Sequence, residues 1–268
     1  MQTLKLAVIG KDVSKSLSPE IHTFIAKHTG NKVVYDKLSI PETQFENRVE
    51  KLFEEYDGFN VTIPYKLSIM PHLEKVEGDA KAFGAVNTVR ARDRSGYNTD
   101  GLGFSLMLKN AGVEVRGKSA LVLGAGGAGR SAAKKLLDEG AQVFLYNRNP
   151  DKAKAVAKEF KGVTALEKLE EKEYFLIVNA TGVGMHETVG ISPASDKLLS
   201  LCTVAADLIY EPKKSSFLEL AEKYGKQIIN GEAMLFYQAY FAQKIYFGES
   251  ADEKQAKELF TKYLEEKL

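Results

Sequence analysis

The stretch "GKSALVLGAGGAGRSAAKKLL", Gly117–Leu137, most constrains what this chain can fold into. Its apolar run "SALVL" has the length of a buried strand and ends at a glycine. Gly124, Gly126 and Gly129 then fall on a G-x-G-x-x-G spacing, and an Ala/Lys/Leu-rich helical pattern runs on to about Leu137. A second apolar run, "AQVFLYN", follows. Strand, glycine turn, helix and strand in that order predict the opening of a dinucleotide-binding βαβ unit; the glycines without that context would be a weak signal. In such a unit the first glycine makes the turn, the second lets backbone approach a pyrophosphate, and the third lets helix and strand pack closely. The helix N-terminus offers free N–H groups and a favourable dipole to the phosphates. A glycine-rich βα turn with no ligand is the plainer alternative.

The end of the second strand chooses the cofactor. An NAD site normally has an acid there to hold the ribose 2′-OH. Here the strand runs into "YNRNPDK", with no acid before Asp151 but with Arg148, and Lys152 four residues on. A guanidinium suits a 2′-phosphate through charge-assisted, bidentate bonds. The pattern predicts NADP, against a solvated arginine in a strand–helix turn. A P-loop is rejected although "GVEVRGKS", Gly112–Ser119, matches its pattern. That motif needs a strand before it and a helix after it, and here the order is reversed.

This unit starts more than a hundred residues into a chain of 268. After it, "DKAKAVAKEF" reads as helix, "YFLIVNA" and "TVAADLIY" as strands, "SSFLELAEKYG" as helix and "KQIING" as strand, which is a doubly wound parallel sheet. Two helices, roughly Glu232–Phe247 and Asp252–Glu266, close the chain. The first hundred residues alternate too. "LKLAVIG" is a strand, and "SPEIHTFIAKHTG" a helix with Ser18 as N-cap and Pro19 at its first position. "KVVYDKLSI" is a strand, "ETQFENRVEKLFEEY" an amphipathic helix and "GFNVTIP" a strand. Helical segments then reach about Phe83, the strand "AVNTVRAR" follows, and the helix Asp100–Gly112 carries the chain onward. The fold class is therefore α/β with two α/β domains and a cleft between them. Residues 1–100, completed by a C-terminal helix at about 240–268, form a substrate domain; residues 101–239 form a Rossmann-like, doubly wound dinucleotide domain. A cleft of that kind holds substrates.

Composition narrows the function classes. Hydrophobic content of 44% suffices for two cores. Lys+Arg is 37 and Asp+Glu 36, so bulk charge points to neither nucleic acid nor membrane as a partner. The one cysteine, Cys202, cannot form an internal disulfide. The N-terminal "MQTLKLAVIGKD" lacks a signal-peptide pattern, and no apolar run is long enough for a bilayer, so a cytoplasmic location is expected. The four histidines show no ligand spacing, and no metal site is expected.

Polar residues gather where elements end, the usual place for sites in open α/β sheets. In "SKSLSPEIH", Ser16 and Ser18 stand at a helix entrance, where two hydroxyls could hold a carboxylate or Ser18 could simply cap. In "GFNVTIPYK", alternation puts Phe59, Val61 and Ile63 on one face and Asn60 and Thr62 on the other, with Lys66 just beyond Pro64. A solvated Lys66 is the plain alternative. Asn87 in "GAVNT" could be a turn amide, and Asp100 in "GYNTDGLG" a helix cap.

Taken together, "SLSP", "NVTIPYK", "GAVNT", "NTDG", "GAGGAGR", "YNR", "NATGVGM" and "MLFYQA" resemble the shikimate dehydrogenase family in order and spacing, from about residue 10 to 245. The resemblance implies NADP-linked interconversion of 3-dehydroshikimate and shikimate. It implies that Ser16 and Ser18 hold the substrate carboxylate, and that Thr62, Lys66, Asn87, Asp100 and Gln238 hold its hydroxyls and keto group, helped by Tyr210. Lys66 would be the acid/base beside Asp100. Gly124, Ala125, Gly126, Gly127 and Ala128, with Asn147, Arg148, Asn149 and Lys152, would hold the cofactor, and Leu208 and Gly231 would line the nicotinamide. The chain also departs from the family: "EPKKSSF" follows Tyr210 where an Asn-Pro and then a Thr-Pro are common, and Asn149 replaces the usual Thr or Ser. Two other readings stay open: a broader quinate/shikimate dehydrogenase, and a non-catalytic ligand-sensing protein of the same fold. Retention of both Lys66 and Asp100 argues against the second. The expected partner is a small-molecule substrate, with the chain a monomer or homodimer.

Overall fold

Two six-stranded sheets organise the protein, and the computed structural model describes residues Thr3 to Lys267. The chain divides into two units, Met1–Gly103 with Phe236–Leu268, and Phe104–Leu235.

In the first unit, β1 (Thr3–Gly10) is followed by α1 (Ser18–Thr29), β2 (Lys32–Ser39), α2 (Phe45–Glu55) and β3 (Gly58–Val61). Then come β4 (Lys75–Val76), α3 (Gly78–Phe83), β5 (Thr88–Arg90) and β6 (Ser95–Tyr97). The sheet order is β2-β1-β3-β5-β6-β4. β1 runs parallel to β2 and β3, while β5 is antiparallel to β3 and β6. The apolar strand β1 lies inside the sheet, between β2 and β3, and feeds both of its faces. Ala7 and Ile9 join Phe45, Val49, Leu52 and Phe59 on the α2 side. Leu6 on the other side meets Ala242 and Tyr246. Each of the Leu, Ile, Val and Phe side chains among these contributes about 1.5–3 kcal/mol on full burial.

The helices α4 (Asp100–Asn110) and α9 (Glu232–Phe247) each cross a boundary between the units. Between them lie β7 (Ser119–Leu123), α5 (Gly127–Asp138), β8 (Gln142–Tyr146), α6 (Pro150–Glu159), β9 (Val163–Leu166) and β10 (Tyr174–Asn179). They are followed by α7 (Asp196–Ser200), β11 (Cys202–Asp207), α8 (Ser216–Lys223) and β12 (Gln227–Ile229), and α10 (Glu253–Lys267) ends the chain. All pairings in this sheet are parallel, in the order β12-β11-β10-β7-β8-β9. That is the doubly wound order, and the winding reverses between β7 and β10. The carboxyl ends of strands at such a switch point are where open sheets bind ligands.

Several sequence expectations are corrected. Ser18 opens α1 instead of capping it; Leu17 takes the cap position with no side-chain cap bond. The Ser18 backbone N–H and hydroxyl both engage the Ser16 hydroxyl, at 3.2 and 3.0 Å. The strand expected through Pro64 stops at Val61, so Ile63 does not share the buried face of Phe59 and Val61: it is 77% exposed. Between Tyr65 and Phe83 only a single 3-10 turn at Met70–His72 and α3 are helical, with β4 between them. The strand expected over "AVNTVRAR" is the shorter β5 followed by a 3-10 turn at Ala91–Asp93. The short β6, β9 and α7 have no counterpart in the sequence reading.

Candidate functional site

Lys66 is held from three directions before its side chain does anything. The preceding Tyr65 stacks on Phe45 with ring centroids 4.2 Å apart, and its hydroxyl donates to the Ile40 carbonyl at 2.5 Å. The Lys66 carbonyl accepts from the Val86 N–H at 2.8 Å. The Lys66 ammonium then donates to Asp100 Oδ2. These two side chains are only 13% and 8% exposed. Asp100 is the first residue of α4, where the helix dipole favours its charge. Its N–H is taken by Asn98 Oδ1 at 3.0 Å.

Asn87 stands behind the pair. Its Oδ1 accepts from the Thr88 hydroxyl and the Thr99 N–H, both at 2.8 Å. Two donors on that oxygen settle which way the amide faces. Its Nδ2 therefore donates to Asp100 Oδ1 at 2.7 Å and to Thr99 Oγ1 at 3.0 Å, and Gln238 Oε1 lies 3.5 Å away. Asn60 extends the network: its Nδ2 donates to the Asn87 carbonyl and to Thr88 Oγ1, each at 3.2 Å. The Tyr35 hydroxyl donates to Asn60 Oδ1 at 2.7 Å. Burial pushes that phenol well above its ordinary value, and the neighbouring Ser18 hydroxyl eases it back.

Of the residues expected from sequence, Lys66, Asn87, Asp100 and Gln238 thus form one connected network, and Ser16 and Ser18 a hydroxyl pair beside Tyr35. Thr62 stands four residues before Lys66 and accepts the Tyr65 N–H on its carbonyl at 2.9 Å, but its hydroxyl has no hydrogen-bond partner among the described residues. Sequence reasoning missed Thr99, Thr88 and Tyr35. Only Thr99 carried a signal, its position next to Asp100. What the network can do is specific. The ammonium spends one of its three donors on Asp100, which leaves two for a substrate oxygen and solvent.

The second unit supplies a different kind of surface. Gly124 has φ +106°, a value that L side chains rarely adopt. A Cβ on Gly129 would lie 2.0 Å from the Gly124 carbonyl oxygen, so helix and turn can touch only through glycine. A Cβ on Gly126 would meet nothing within 4 Å, leaving that face open to a ligand. Gly127 and Ala128 open α5, so their N–H groups have no intrahelical acceptor. Asn147 Oδ1 takes the Ala125 N–H at 3.1 Å, and its Nδ2 donates to the Asn149 carbonyl at 2.9 Å. This one side chain binds the glycine turn to the turn after β8. Asn149 caps α6 by accepting the Asp151 N–H at 3.0 Å. Arg148 and Lys152 are exposed, and neither has an ion-pair partner among the described residues. An open glycine turn, free helix N–H groups and two unpaired cations fit a dinucleotide carrying an extra phosphate.

Beyond β11, a Cβ on Gly231 would lie 2.4 Å from the Leu208 carbonyl oxygen, so these two backbones are in contact. Burial raises the Tyr210 phenol. Among the described residues no group of three or more His, Cys, Asp or Glu is placed to hold a metal ion. No described helix is long and apolar enough to cross a membrane.

Comparison with known proteins gives consistent matches. Residues 8–89 match the model of the shikimate dehydrogenase substrate binding domain, and residues 105–183 that of shikimate / quinate 5-dehydrogenase. The chain is 38% identical to the shikimate dehydrogenase (NADP(+)) of Carboxydothermus hydrogenoformans, over 96% of each chain. It resembles the crystal structure of shikimate 5-dehydrogenase from Thermus thermophilus in complex with NADP(H) and shikimate, with a TM-score of 0.86 and 36% identity over 96% of this chain and 98% of the other. It also resembles shikimate dehydrogenase 1 from Peptoclostridium difficile, with a TM-score of 0.89 and 31% identity over 97% of each.

Proposed function

The chain belongs to the shikimate dehydrogenase family, and within it we propose that Met1–Gly103 with Phe236–Leu268 binds the substrate while Phe104–Leu235 binds NADP. The protein is an NADP-linked oxidoreductase of the shikimate pathway that interconverts 3-dehydroshikimate and shikimate. The observation that carries the residue assignment is the buried Lys66–Asp100 pair, backed by Asn87.

Lys66 is the acid/base. In the reductive direction its ammonium gives a proton to the oxygen that was the keto group, and in reverse it takes one back. Asp100 aims that ammonium with one oxygen and is itself fixed through the other by Asn87. Thr62, Asn87, Asp100 and Gln238 hold the substrate hydroxyls, Ser16 and Ser18 its carboxylate, and Tyr210 assists. When bound, NADP supplies or accepts the hydride. Gly124 to Ala128 cradle its pyrophosphate, Asn147, Asn149, Arg148 and Lys152 form the 2′-phosphate turn, and Leu208 and Gly231 line the nicotinamide. Withdrawal of charge from water makes such preplaced donors worth more than they are in solvent.

A spectrophotometric assay of shikimate and quinate, each with NADP and NAD, tests the assignment. Turnover is expected with shikimate and NADP, with quinate and NAD each much poorer. Comparable quinate turnover would widen the substrate assignment, and equal use of NAD would overturn the reading of Arg148. We place the enzyme in the cytoplasm, as a monomer or homodimer. The one cysteine, Cys202, is free and buried, and burial pushes its thiol up to about 11. Cell fractionation and sedimentation check both statements.

A further inference from the structure

The loop that follows β11 carries Leu208 and Tyr210, and it is fastened by side chains with no part in the chemistry above. Asp207 ends β11 and is fully buried. Its Oδ1 accepts from the Ile209 N–H and from Asn179 Nδ2, each at 3.0 Å, and its Oδ2 accepts from the Ser215 hydroxyl. One carboxylate therefore joins the start of the loop, its end and the adjacent strand, where Asn179 is its register partner. Asn230 fastens the same loop from β12. Its Nδ2 donates to the carbonyls of Ile209 at 3.2 Å and Lys213 at 2.7 Å, and its Oδ1 accepts the Glu232 N–H at 2.7 Å. Glu211, Lys213 and Lys214, between the fastenings, are exposed and add little packing. A buried carboxylate is costly unless it is hydrogen-bonded, and the three donors that meet Asp207 come from the two ends of this loop and the strand beside it.

We propose that Asp207, together with Ser215 and Asn230, is a positioning residue that fixes the loop Leu208–Ser215 and so presents Tyr210 to the substrate and Leu208 to the nicotinamide. This rests on the reading of Tyr210 and Leu208 given under Proposed function. Asparagine at 207 keeps both bonds to Oδ1, and its amide can donate to Ser215 Oγ with the hydroxyl turned. Alanine keeps none of the three.

Steady-state kinetics of Asp207→Ala, Asp207→Asn, Ser215→Ala, Tyr210→Phe and Ser195→Ala, each with a thermal melt, test the proposal. Ser195 is a control for the loss of a helix cap, at an exposed position. Like Ser215 it caps a helix, accepting the Leu198 N–H at 3.1 Å, but it does not touch this loop. Asp207→Ala and Ser215→Ala are expected to raise KM for shikimate and for NADP by roughly three- to tenfold, up to one tenfold step of affinity. Asp207→Asn should return both to near the parent values, and Ser195→Ala should lower the melt without moving either. If Asp207→Ala does not fold, Ser215→Ala against Ser195→Ala decides. Parent KM values in Ser215→Ala, or no recovery in Asp207→Asn, overturn the proposal. Tyr210→Phe separates the failures. A raised shikimate KM there, with parent values in the loop variants, rejects the clamp and keeps the reading of Tyr210. A parent shikimate KM in Tyr210→Phe rejects that reading and the substrate half of the proposal, and parent NADP KM values in the loop variants reject the Leu208 half.

Discussion

Asp100 divides its two carboxylate oxygens between Lys66 and Asn87, so the Lys66 ammonium and the amide behind it are aligned by one side chain. Lys66→Ala should lower turnover by roughly 10²–10⁴, the usual share of general acid–base catalysis. NADP binding should hardly change, because the glycine turn lies in the other unit, while the melt should fall because Asp100 is left without its cation. Asp100→Asn should impair shikimate KM and turnover together, since it loosens the ammonium and a substrate hydroxyl at once. Near-normal turnover in folded Lys66→Ala would send the proton to another donor.

Arg148 is exposed and unpaired among the described residues, so its charge is available to a ligand. Arg148→Asp should weaken NADP by tenfold or more while NAD moves little. The loss corresponds to a charged hydrogen bond of roughly 1.5–3 kcal/mol. Binding titrations of both cofactors give the answer, and a parallel change in the two would show that Arg148 does not read the phosphate.

Two glycines in one turn should fail differently. Gly129→Ala places a Cβ 2.0 Å from the Gly124 carbonyl, so it should lower both the melt and NADP affinity. Gly126→Ala meets no protein atom within 4 Å, so the melt should hold while NADP affinity falls. A melt that drops equally in both would mean that Gly126 serves the fold and not the ligand.

Burial holds the His22 imidazole down at about 3 against an ordinary 6.5, with Asn60 pulling weakly the other way. The folded state keeps it neutral, so below the ordinary value the unfolded chain binds a proton that the folded chain refuses. Its contribution to stability is therefore present above that value and is lost as pH falls toward the folded one, by roughly 1.4 kcal/mol per pH unit. His22→Phe keeps a ring to stack on Tyr35, 4.6 Å away in the parent, and removes the titration. Denaturant unfolding at pH 7 and pH 5 should show the parent losing roughly 2 kcal/mol more than the variant. Equal losses would mean that His22 is protonated in the fold.

The second unit is the more legible half in the sequence, because most of its strands are unbroken apolar runs, while the short β9 and α7 leave no pattern to find. "SALVL", "YFLIVNA" and "DKAKAVAKEF" all became the elements their patterns predict. The first unit is legible in the sequence at β1 and α2 and not from Thr62 to Tyr97, where strands of two or three residues leave no period to detect. The pairing of Lys66 with Asp100 is suggested in the sequence only by the family resemblance, beside the plain readings of a solvated lysine and a helix cap. Tyr35 and Thr88 were not visible, because each reads as an ordinary strand residue until the sheet brings it to Asn60. Asp207 reads in the sequence as the interior of the strand "TVAADLIY", which stops at Asp207, and only its three bonds reveal the loop it holds.

The boundaries at Gly103 and Phe236 have a consequence for biosynthesis. The second unit is one uninterrupted length of chain and can be finished while translation continues. The first is not complete until its last segment emerges, since Ala242 and Tyr246 cover Leu6 and Gln238 faces Asn87. On the ribosome the part made first should settle last, with its apolar strand β1 awaiting residues more than two hundred positions downstream. A nascent chain released after Leu235 should resist protease over Phe104–Leu235 and be cut within the first hundred residues; protection of both would show that the early segment closes unaided.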